Sequence, residues 1–181
     1  ILVVAPADQA IQNQAAFVKA LQDCVAIVAK DQSKKTLVIL GVTPTTPETG
    51  YGYIQHNSTK GSDNEFSVER FIEKPDIKTA QACLMGGNYL WNSGIFVLRA
   101  STWLSALEQH RSDAVIEKCA VGNFSLKMVE LDAGWSDLGA WDAVWQVGIK
   151  DTEGNMISGD TILINTKNSL VQAGTRLVSV I

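Results

Sequence analysis

The chain is organised around residues Leu131 to Trp141, which read Leu-Asp-Ala-Gly-Trp-Ser-Asp-Leu-Gly-Ala-Trp. An alternating apolar run that contains Phe124, Leu126 and Met128 precedes them and predicts a strand. The stretch from Ala140 to Val147 follows them and predicts a short helix. The quoted residues therefore connect a strand to a helix, and in open α/β sheets such connections line the ligand crevice.

This connection carries two carboxylates, Asp132 and Asp137, beside two glycines. A carboxylate in such a place can hold Mg²⁺ on a phosphate, because Mg²⁺ prefers hard oxygen ligands and usually takes one or two carboxylates. The alternative is that Asp137 caps the helix that begins near Gly139. The stretch by itself leaves both interpretations open.

The N-terminal part of the chain predicts a strand, a helix and a second strand. Ile1 to Ala5 and Thr36 to Val42 are apolar runs that are typical of strands buried on both faces. Apolar residues recur at helical spacing between them, and this order indicates a parallel α/β sheet. Asp8 then lies at the carboxyl end of a strand, where ligands bind, although it is equally suited to cap the helix.

Two further stretches contain candidate binding residues. Residues 44–54 combine two prolines with Gly50 and Gly52, so the backbone is stiff yet open to close approach. Residues 66–75 predict a strand that ends in Glu73 and Lys74, whose side chains point to opposite faces. Glu73 could accept from hydroxyls and Lys74 could reach a phosphate. The alternatives are that residues 44–54 form an ordinary rigid turn and that Glu73 and Lys74 form a surface charge pair.

The next segment predicts a capped helix and an interrupted strand. Asp76 is expected to cap a helix that runs to Met85 and is closed by Gly86 and Gly87. The tripeptide Asn92-Ser93-Gly94 then breaks an apolar run, which indicates a β-bulge that aims a side chain. Asn92 offers donors and an acceptor to sugar hydroxyls, or it simply forms a turn.

Composition excludes several classes of protein. The 181 residues carry a formal net charge of −4, and no basic stripe is present, which argues against a nucleic-acid binder. No apolar run is long enough to span a membrane. The three cysteines are far apart and odd in number, so they predict neither a zinc site nor a disulfide framework. A reducing, cytoplasmic location is the natural expectation.

Together these stretches resemble the mannose-1-phosphate guanylyltransferases, a branch of the sugar-nucleotide pyrophosphorylases. Five motifs occur in family order over most of the chain, and together they are far more specific than any one of them. They are Ala5-Pro6-Ala7-Asp8, residues 44–54, residues 71–75, residues 87–96 with Trp91-Asn92-Ser93-Gly94, and residues 132–141. The resemblance favours the functional interpretation of each motif over its structural alternative.

The resemblance implies a mixed, mainly parallel Rossmann-like nucleotidyltransferase sheet with helices on both faces. It places this α/β domain at residues 1–150 and the start of a β-rich, β-helix-like segment at residues 151–181. The implied reaction joins GTP and mannose 1-phosphate to give GDP-mannose and pyrophosphate. A homodimer without nucleic-acid or membrane partners is expected.

The resemblance also implies roles for individual residues. It makes Asp8 and Asp137 the two carboxylates that hold Mg²⁺. It makes Glu73 the acceptor for sugar hydroxyls and Lys74 the partner of the sugar phosphate. Asn92 is implied as a sugar contact, and the backbone at Gly50 and Gly52 as part of the substrate site. Asp8, Lys74 and Asp137 are the expected catalytic residues.

Three departures from the family pattern lead to further expectations. The family's N-terminal glycine-rich phosphate loop is absent, and the chain starts at Ile1 without a Met. Residues 111–118 join two family segments directly, so a longer helical connection is expected to be missing near residues 111–113. The family's Asp-His pair is Asp8-Gln9 here. We expect the chain to be a fragment that does not turn over GTP by itself.

Two other functions remain open at this stage. One is a catalytically inactive relative that serves as a regulatory subunit, which the missing phosphate loop would suit. The other is a pyrophosphorylase for another hexose 1-phosphate, although the residues of the last two motifs favour the mannose branch. Metal-dependent binding of GTP would argue against the inactive relative.

Overall fold

The computed structural model of this chain describes residues 1–57, 61, 65–110 and 123–181. It divides into two compact units, the first made of residues 1–7 and 13–135 and the second of residues 8–12 and 136–181. The expected deletion near residues 111–113 lies outside the described residues. The predicted domain boundary at residue 150 stays a prediction.

The described residues form helices and strands, and several strands follow one another without a helix between them. The helices are α1 (Gln14–Lys30), α2 (Ile77–Gly86), α3 (Ala100–His110) and α4 (Trp141–Val147). The strands before α3 are β1 (Leu2–Val4), β2 (Ala10–Ile11), β3 (Thr36–Val42), β4 (Tyr53–His56), β5 (Glu65–Ile72) and β6 (Tyr89–Leu98). Those after it are β7 (Ser125–Glu130), β8 (Trp135–Ser136), β9 (Met156–Ser158), β10 (Thr161–Leu163), β11 (Leu170–Gln172) and β12 (Val178–Val180).

The main sheet has six strands in the order β1-β6-β3-β7-β5-β4, and β6 also pairs with β4. Strand β3 lies inside this sheet, between β6 and β7. Its residues Leu37 to Leu40 are 0% exposed, because helices cover the sheet on both sides of this strand. The prediction that this continuous apolar run forms a strand buried on both faces is therefore confirmed.

The mixed α/β class is confirmed, but the part of the sheet that the structure describes is not mainly parallel. Among the described strands of the main sheet, β3 and β7 run parallel, whereas β6 is antiparallel to β1, β3 and β4. β5 is antiparallel to both β4 and β7. Eight residues separate β4 from β5, fewer than a crossover between parallel strands needs, and the two strands pair as antiparallel neighbours. Apolar patterning reports burial and carries no information about strand direction.

Helices pack on both faces of the sheet, as predicted. Ile54 and Leu90 belong to a buried cluster that includes Ala106 of α3. Their chain neighbours Tyr53 and Trp91 belong to a second cluster with Ala80 and Cys83 of α2. Because adjacent strand residues point to opposite faces, α2 and α3 must cover opposite sides of the sheet.

The loop between α1 and β3 is held by the carboxylate of Asp31. It accepts from the backbone nitrogen of Ser33 at 2.9 Å, from that of Lys35 at 2.9 Å and from that of Thr36 at 2.8 Å. The Ser33 hydroxyl donates to it as well, at 2.6 Å. Burial by itself raises the pKa of Asp31, but the hydrogen bonds from Ser33, Thr36 and Lys35 outweigh it and hold the pKa well below its ordinary value.

Helix α2 begins where the sequence predicts and ends at Gly86, one residue beyond the predicted Met85. The side chain of Asp76 accepts from the backbone nitrogen of Thr79 at 2.8 Å and caps the N-terminus. Gly87 adopts the left-handed conformation, with φ of 70°, and closes the C-terminus. Local capping chemistry therefore fixes the two ends of this helix.

The first strand departs from its prediction. β1 pairs with β6 at one edge of the described sheet, and its residues Leu2, Val3 and Val4 are 38 to 50% exposed. The expectation of burial on both faces is wrong for the described residues. An apolar, β-branched run specifies a strand, but its place in the sheet decides how deeply it is buried.

The second unit is rich in short parallel strands. β9 pairs with β11, and β10 pairs with β12, each in parallel. The buried side chain of Asn155 links the turns between them, since it donates to Asp151 Oδ2 and to the carbonyl of Thr166 and accepts from the nitrogen of Ser169. The predicted β-rich segment is present, and its assignment to a β-helix stays a prediction.

Candidate active site

A pair of glycines surrounds Asn92 in the main sheet. Gly41 of β3 lies opposite Asn92, and the backbone nitrogen of Asn92 donates to the carbonyl of Gly52 at 2.7 Å. Both glycines are buried, and protein side chains fill the space beside each of them: Met128 and Leu90 at Gly41, and Phe71 and Glu73 at Gly52. The Asn92 Oδ1 atom accepts from the nitrogen of Gly94 at 3.0 Å, which leaves the amide group of Asn92 to donate to a ligand.

The predicted bulge lies directly after Asn92. The pairing of β6 with β3 shifts register between Ile39 and Gly41, and Gly94 has a φ of 74°. Inside the bulge, the hydroxyl of Ser93 donates to the carbonyl of Leu40 at 2.7 Å and accepts from the nitrogen of Ile95 at 3.2 Å. The fully buried Ser93 thus satisfies the backbone groups that the bulge frees.

Glu73 reaches the vicinity of Gly52, although the two residues belong to different segments. A methyl group added at Gly52 would lie 2.9 Å from Glu73 Oε2 and 2.9 Å from Phe71 Cζ. A glycine is therefore needed at position 52, because neighbouring side chains lie close to its backbone. At Gly50, in contrast, an added methyl group would meet no atom within 4 Å. The close approach concerns the protein's own carboxylate, which the sequence did not indicate.

Lys74 has an unusual backbone conformation. Its φ of 41° lies in the left-handed region, which costs a residue with a side chain roughly 1–2 kcal/mol. Its Nζ lies 3.8 Å from Glu73 Oε1, and the two side chains are 65% and 45% exposed. An ion pair this exposed contributes little stability, so both charges are accessible to a ligand. Strained residues of this kind are concentrated at functional sites.

An aromatic group lies beside these residues. The ring of Tyr51 makes edge-to-face contacts with Trp91, at a centroid distance of 5.1 Å, and with Trp135, at 5.5 Å. Tyr51 is not among the site residues predicted from the sequence. Its position between two glycines was the one available signal. The structure thus brings Gly52, Glu73, Lys74 and Asn92 together within the first unit, with Tyr51 adjacent to Gly52.

Both predicted metal ligands belong to the second unit. Strand β2 pairs with β8, Asp8 lies two residues before β2, and Asp137 directly follows β8. Asp137 Oδ1 accepts from the nitrogen of Gly139 at 3.0 Å, but the N-cap residue of α4 is Ala140. The structure therefore does not support the alternative that Asp137 caps α4, and it leaves Asp137 in a turn that precedes the helix.

Asp8 and Asp137 are chemically suited to bind Mg²⁺. Two carboxylates supply the hard oxygen donors that Mg²⁺ takes from proteins, and the pairing of β2 with β8 places their segments next to each other. Within the described residues no group of three or more His, Cys, Asp or Glu side chains could hold a metal ion. A site with two protein carboxylates does not require such a group.

The chain belongs to the nucleotidyl transferase family, whose model matches residues 1–154. Its relatives include the mannose-1-phosphate guanylyltransferase of Escherichia coli, 35% identical over 216 residues that cover 100% of this chain and 45% of the relative. The xanthan biosynthesis protein XanB of Xanthomonas campestris is 37% identical over 217 residues, covering 100% and 44%. The predicted resemblance to the mannose-1-phosphate guanylyltransferases is thereby confirmed.

The comparison of folds leads to the same family. A solved structure described as mannose-1-phosphate geranyltransferase from Thermus thermophilus superimposes with a TM-score of 0.81 at 25% identity, over 99% of this chain and 59% of that chain. The chain spans about half the length of the curated relatives it matches. In the described part of the chain, no helix has the length and apolar character needed to cross a membrane.

Proposed function

We propose that the protein transfers a guanylyl group from GTP to mannose 1-phosphate, releasing pyrophosphate. The observation that carries this proposal is the convergence of Gly52, Glu73 and Asn92 beside a strained, accessible Lys74. A carboxylate and an amide suit a polyhydroxylated sugar, and an adjacent ammonium group suits its phosphate. Family membership and the names of the relatives support the same reaction.

In the proposed reaction, an oxygen of the sugar phosphate forms a bond to the α-phosphorus of GTP. The bond from that phosphorus to the oxygen bridging to the β-phosphorus breaks, and its electron pair leaves with pyrophosphate. The attacking oxygen is already anionic, so the reaction needs neither a protein base nor a covalent intermediate. Catalysis then consists of positioning and charge neutralisation.

The residues of this chain have separate tasks in that reaction. Glu73 accepts hydrogen bonds from sugar hydroxyls, Asn92 donates one, and Lys74 neutralises the phosphate and orients it. Asp8 and Asp137 would hold Mg²⁺, which supplies charge neutralisation to the triphosphate when it is bound. The dimeric state and the cytoplasmic location stay predictions.

The phosphate task of Lys74 is tested by its removal. We expect Lys74→Ala to weaken the binding of mannose 1-phosphate about tenfold or more and that of free mannose hardly at all, because a charge-assisted contact is lost. Lys34→Ala is the matched control, since Lys34 also has a left-handed backbone, with φ of 56°, and lies in the loop before β3. Isothermal titration calorimetry of both variants with both ligands measures the difference.

The outcomes separate the candidate functions. Equal loss of affinity for both ligands, or equal loss in Lys34→Ala, would contradict the phosphate role. Wild-type preference for glucose 1-phosphate over mannose 1-phosphate would indicate a pyrophosphorylase for another hexose. Binding of mannose 1-phosphate without Mg²⁺-dependent binding of GTP by the complete protein would favour an inactive regulatory relative.

A further inference from the structure

The segment Gly50 to Gly52 needs anchors in order to present a fixed backbone. Glycine loses more conformational freedom on ordering than any other residue, so two glycines in three positions oppose a single conformation. One anchor is the hydrogen bond from the nitrogen of Asn92 to the carbonyl of Gly52, at 2.7 Å. A single backbone hydrogen bond at the end of β4 does not by itself immobilise such a segment.

The side chain between the two glycines supplies a second anchor. The Tyr51 ring is half-buried, and its plane is inclined by 78° to Trp91 and by 69° to Trp135. Both centroid distances, 5.1 and 5.5 Å, lie in the range at which edge-to-face aromatic pairs attract. Trp91 is only 7% exposed and packs in the buried cluster under α2, so it forms a rigid wall for Tyr51.

We propose that Tyr51 is a positioning residue for the sugar site. Its ring, held between Trp91 and Trp135, fixes Gly52 against Asn92 and so presets the backbone that meets the sugar. The choice of sugar ligand rests on the proposed function, whereas the ordering of the segment does not. For a ligand that needs the ordered segment, the apparent dissociation constant equals the intrinsic one divided by the fraction of molecules in which the segment is ordered.

The size of the effect follows from the two ring contacts. Each aromatic pair changes an equilibrium constant by a factor of about 2.3 to 13 beyond the effect of its buried area. Loss of both contacts in Tyr51→Leu should therefore favour the open segment by at least about fivefold. Tyr51→Phe keeps both ring contacts and should restore the wild-type behaviour. Tyr89→Leu is the matched control, because Tyr89 packs against the same buried cluster.

The test combines amide hydrogen exchange with ligand binding, measured on the chain itself. In Tyr51→Leu, the amide of Asn92 should exchange at least about fivefold faster, while the amide of Ile39 in β3 reports any change in global stability. The dissociation constant for mannose 1-phosphate, measured by calorimetry, should rise by at most the same factor, because it follows the fraction of molecules in which the segment is ordered. Neither change should appear in Tyr51→Phe, and Tyr89→Leu should not accelerate Asn92 relative to Ile39.

Each result decides the role of Tyr51. Unchanged exchange of Asn92 in Tyr51→Leu, or equal acceleration of Asn92 and Ile39, would overturn the proposal. Acceleration in Tyr51→Phe equal to that in Tyr51→Leu would also overturn it, since the ring contacts would not be the cause. If the wild-type chain does not bind mannose 1-phosphate, the proposed function fails, and the exchange data still decide whether Tyr51 orders the segment.

Discussion

The close approach of Gly52 to Glu73 gives a sharp prediction for Gly52→Ala. The added methyl group would lie 2.9 Å from Glu73 Oε2 and 2.9 Å from Phe71 Cζ, where ordinary carbon contacts require about 3.5–4.0 Å. The neighbours must therefore move by roughly 0.5–1 Å. Glu73 is the more mobile, because the contact involves the end of its flexible side chain, whereas Phe71 contributes a rigid ring.

Two quantities should change in Gly52→Ala. Overpacking of this kind costs roughly 1–3 kcal/mol, and we expect the free energy of unfolding in urea to fall by about 1 kcal/mol because Glu73 can move aside. Displacement of Glu73 from the sugar removes a hydrogen bond to a charged group, worth about 1.5–3 kcal/mol. The dissociation constant for mannose 1-phosphate should therefore rise by about tenfold or more.

Two other glycines provide the controls. A methyl group at Gly174 meets no atom within 4 Å, so Gly174→Ala should leave both stability and affinity within experimental error. A methyl group at Gly50 also meets no protein atom, and a loss of affinity in Gly50→Ala without loss of stability would report approach of the ligand itself. Wild-type affinity in Gly52→Ala would refute the assignment of Glu73 to the sugar.

Three further predictions concern carboxylates. Glu73→Gln should reduce the discrimination between mannose 1-phosphate and its epimers rather than the affinity for phosphate, and calorimetry with both epimers would show equal discrimination if this is wrong. Asp8→Asn and Asp137→Asn should each weaken Mg²⁺ binding about tenfold or more. Asp160 is exposed, and Asp160→Asn should leave Mg²⁺ binding unchanged. Equal affinities for Mg²⁺ in all three variants would contradict the metal assignment. Asp31→Asn should lower the free energy of unfolding at neutral pH by about 1–3 kcal/mol. Because the folded pKa of Asp31 is depressed, its contribution is complete above the ordinary carboxyl pKa and is lost as the pH falls below it, so urea titrations of wild type and Asp31→Asn should converge in acid.

Features that depend on neighbouring residues in the sequence could be predicted. β3 covers residues 36–42 as its apolar run indicates, and α2 has the predicted cap at Asp76 and the predicted left-handed closure at Gly87. The bulge after Asn92 also follows from the local sequence, since Gly94 accepts a positive φ and Ser93 supplies a short hydroxyl. Resemblance then supplied the candidate residues, of which Gly52, Glu73, Lys74 and Asn92 come together in the structure.

The tertiary structure decided what depends on residues distant in the chain. The direction of β6 and the insertion of Asn92 between Gly41 and Gly52 arise from strand pairing, which apolar periodicity does not encode. The contact of Tyr51 with Trp91 and Trp135 joins three segments of the chain that are far apart in sequence. The left-handed backbone of Lys74 is likewise invisible in its residue type, because such strain persists only where surrounding packing imposes it.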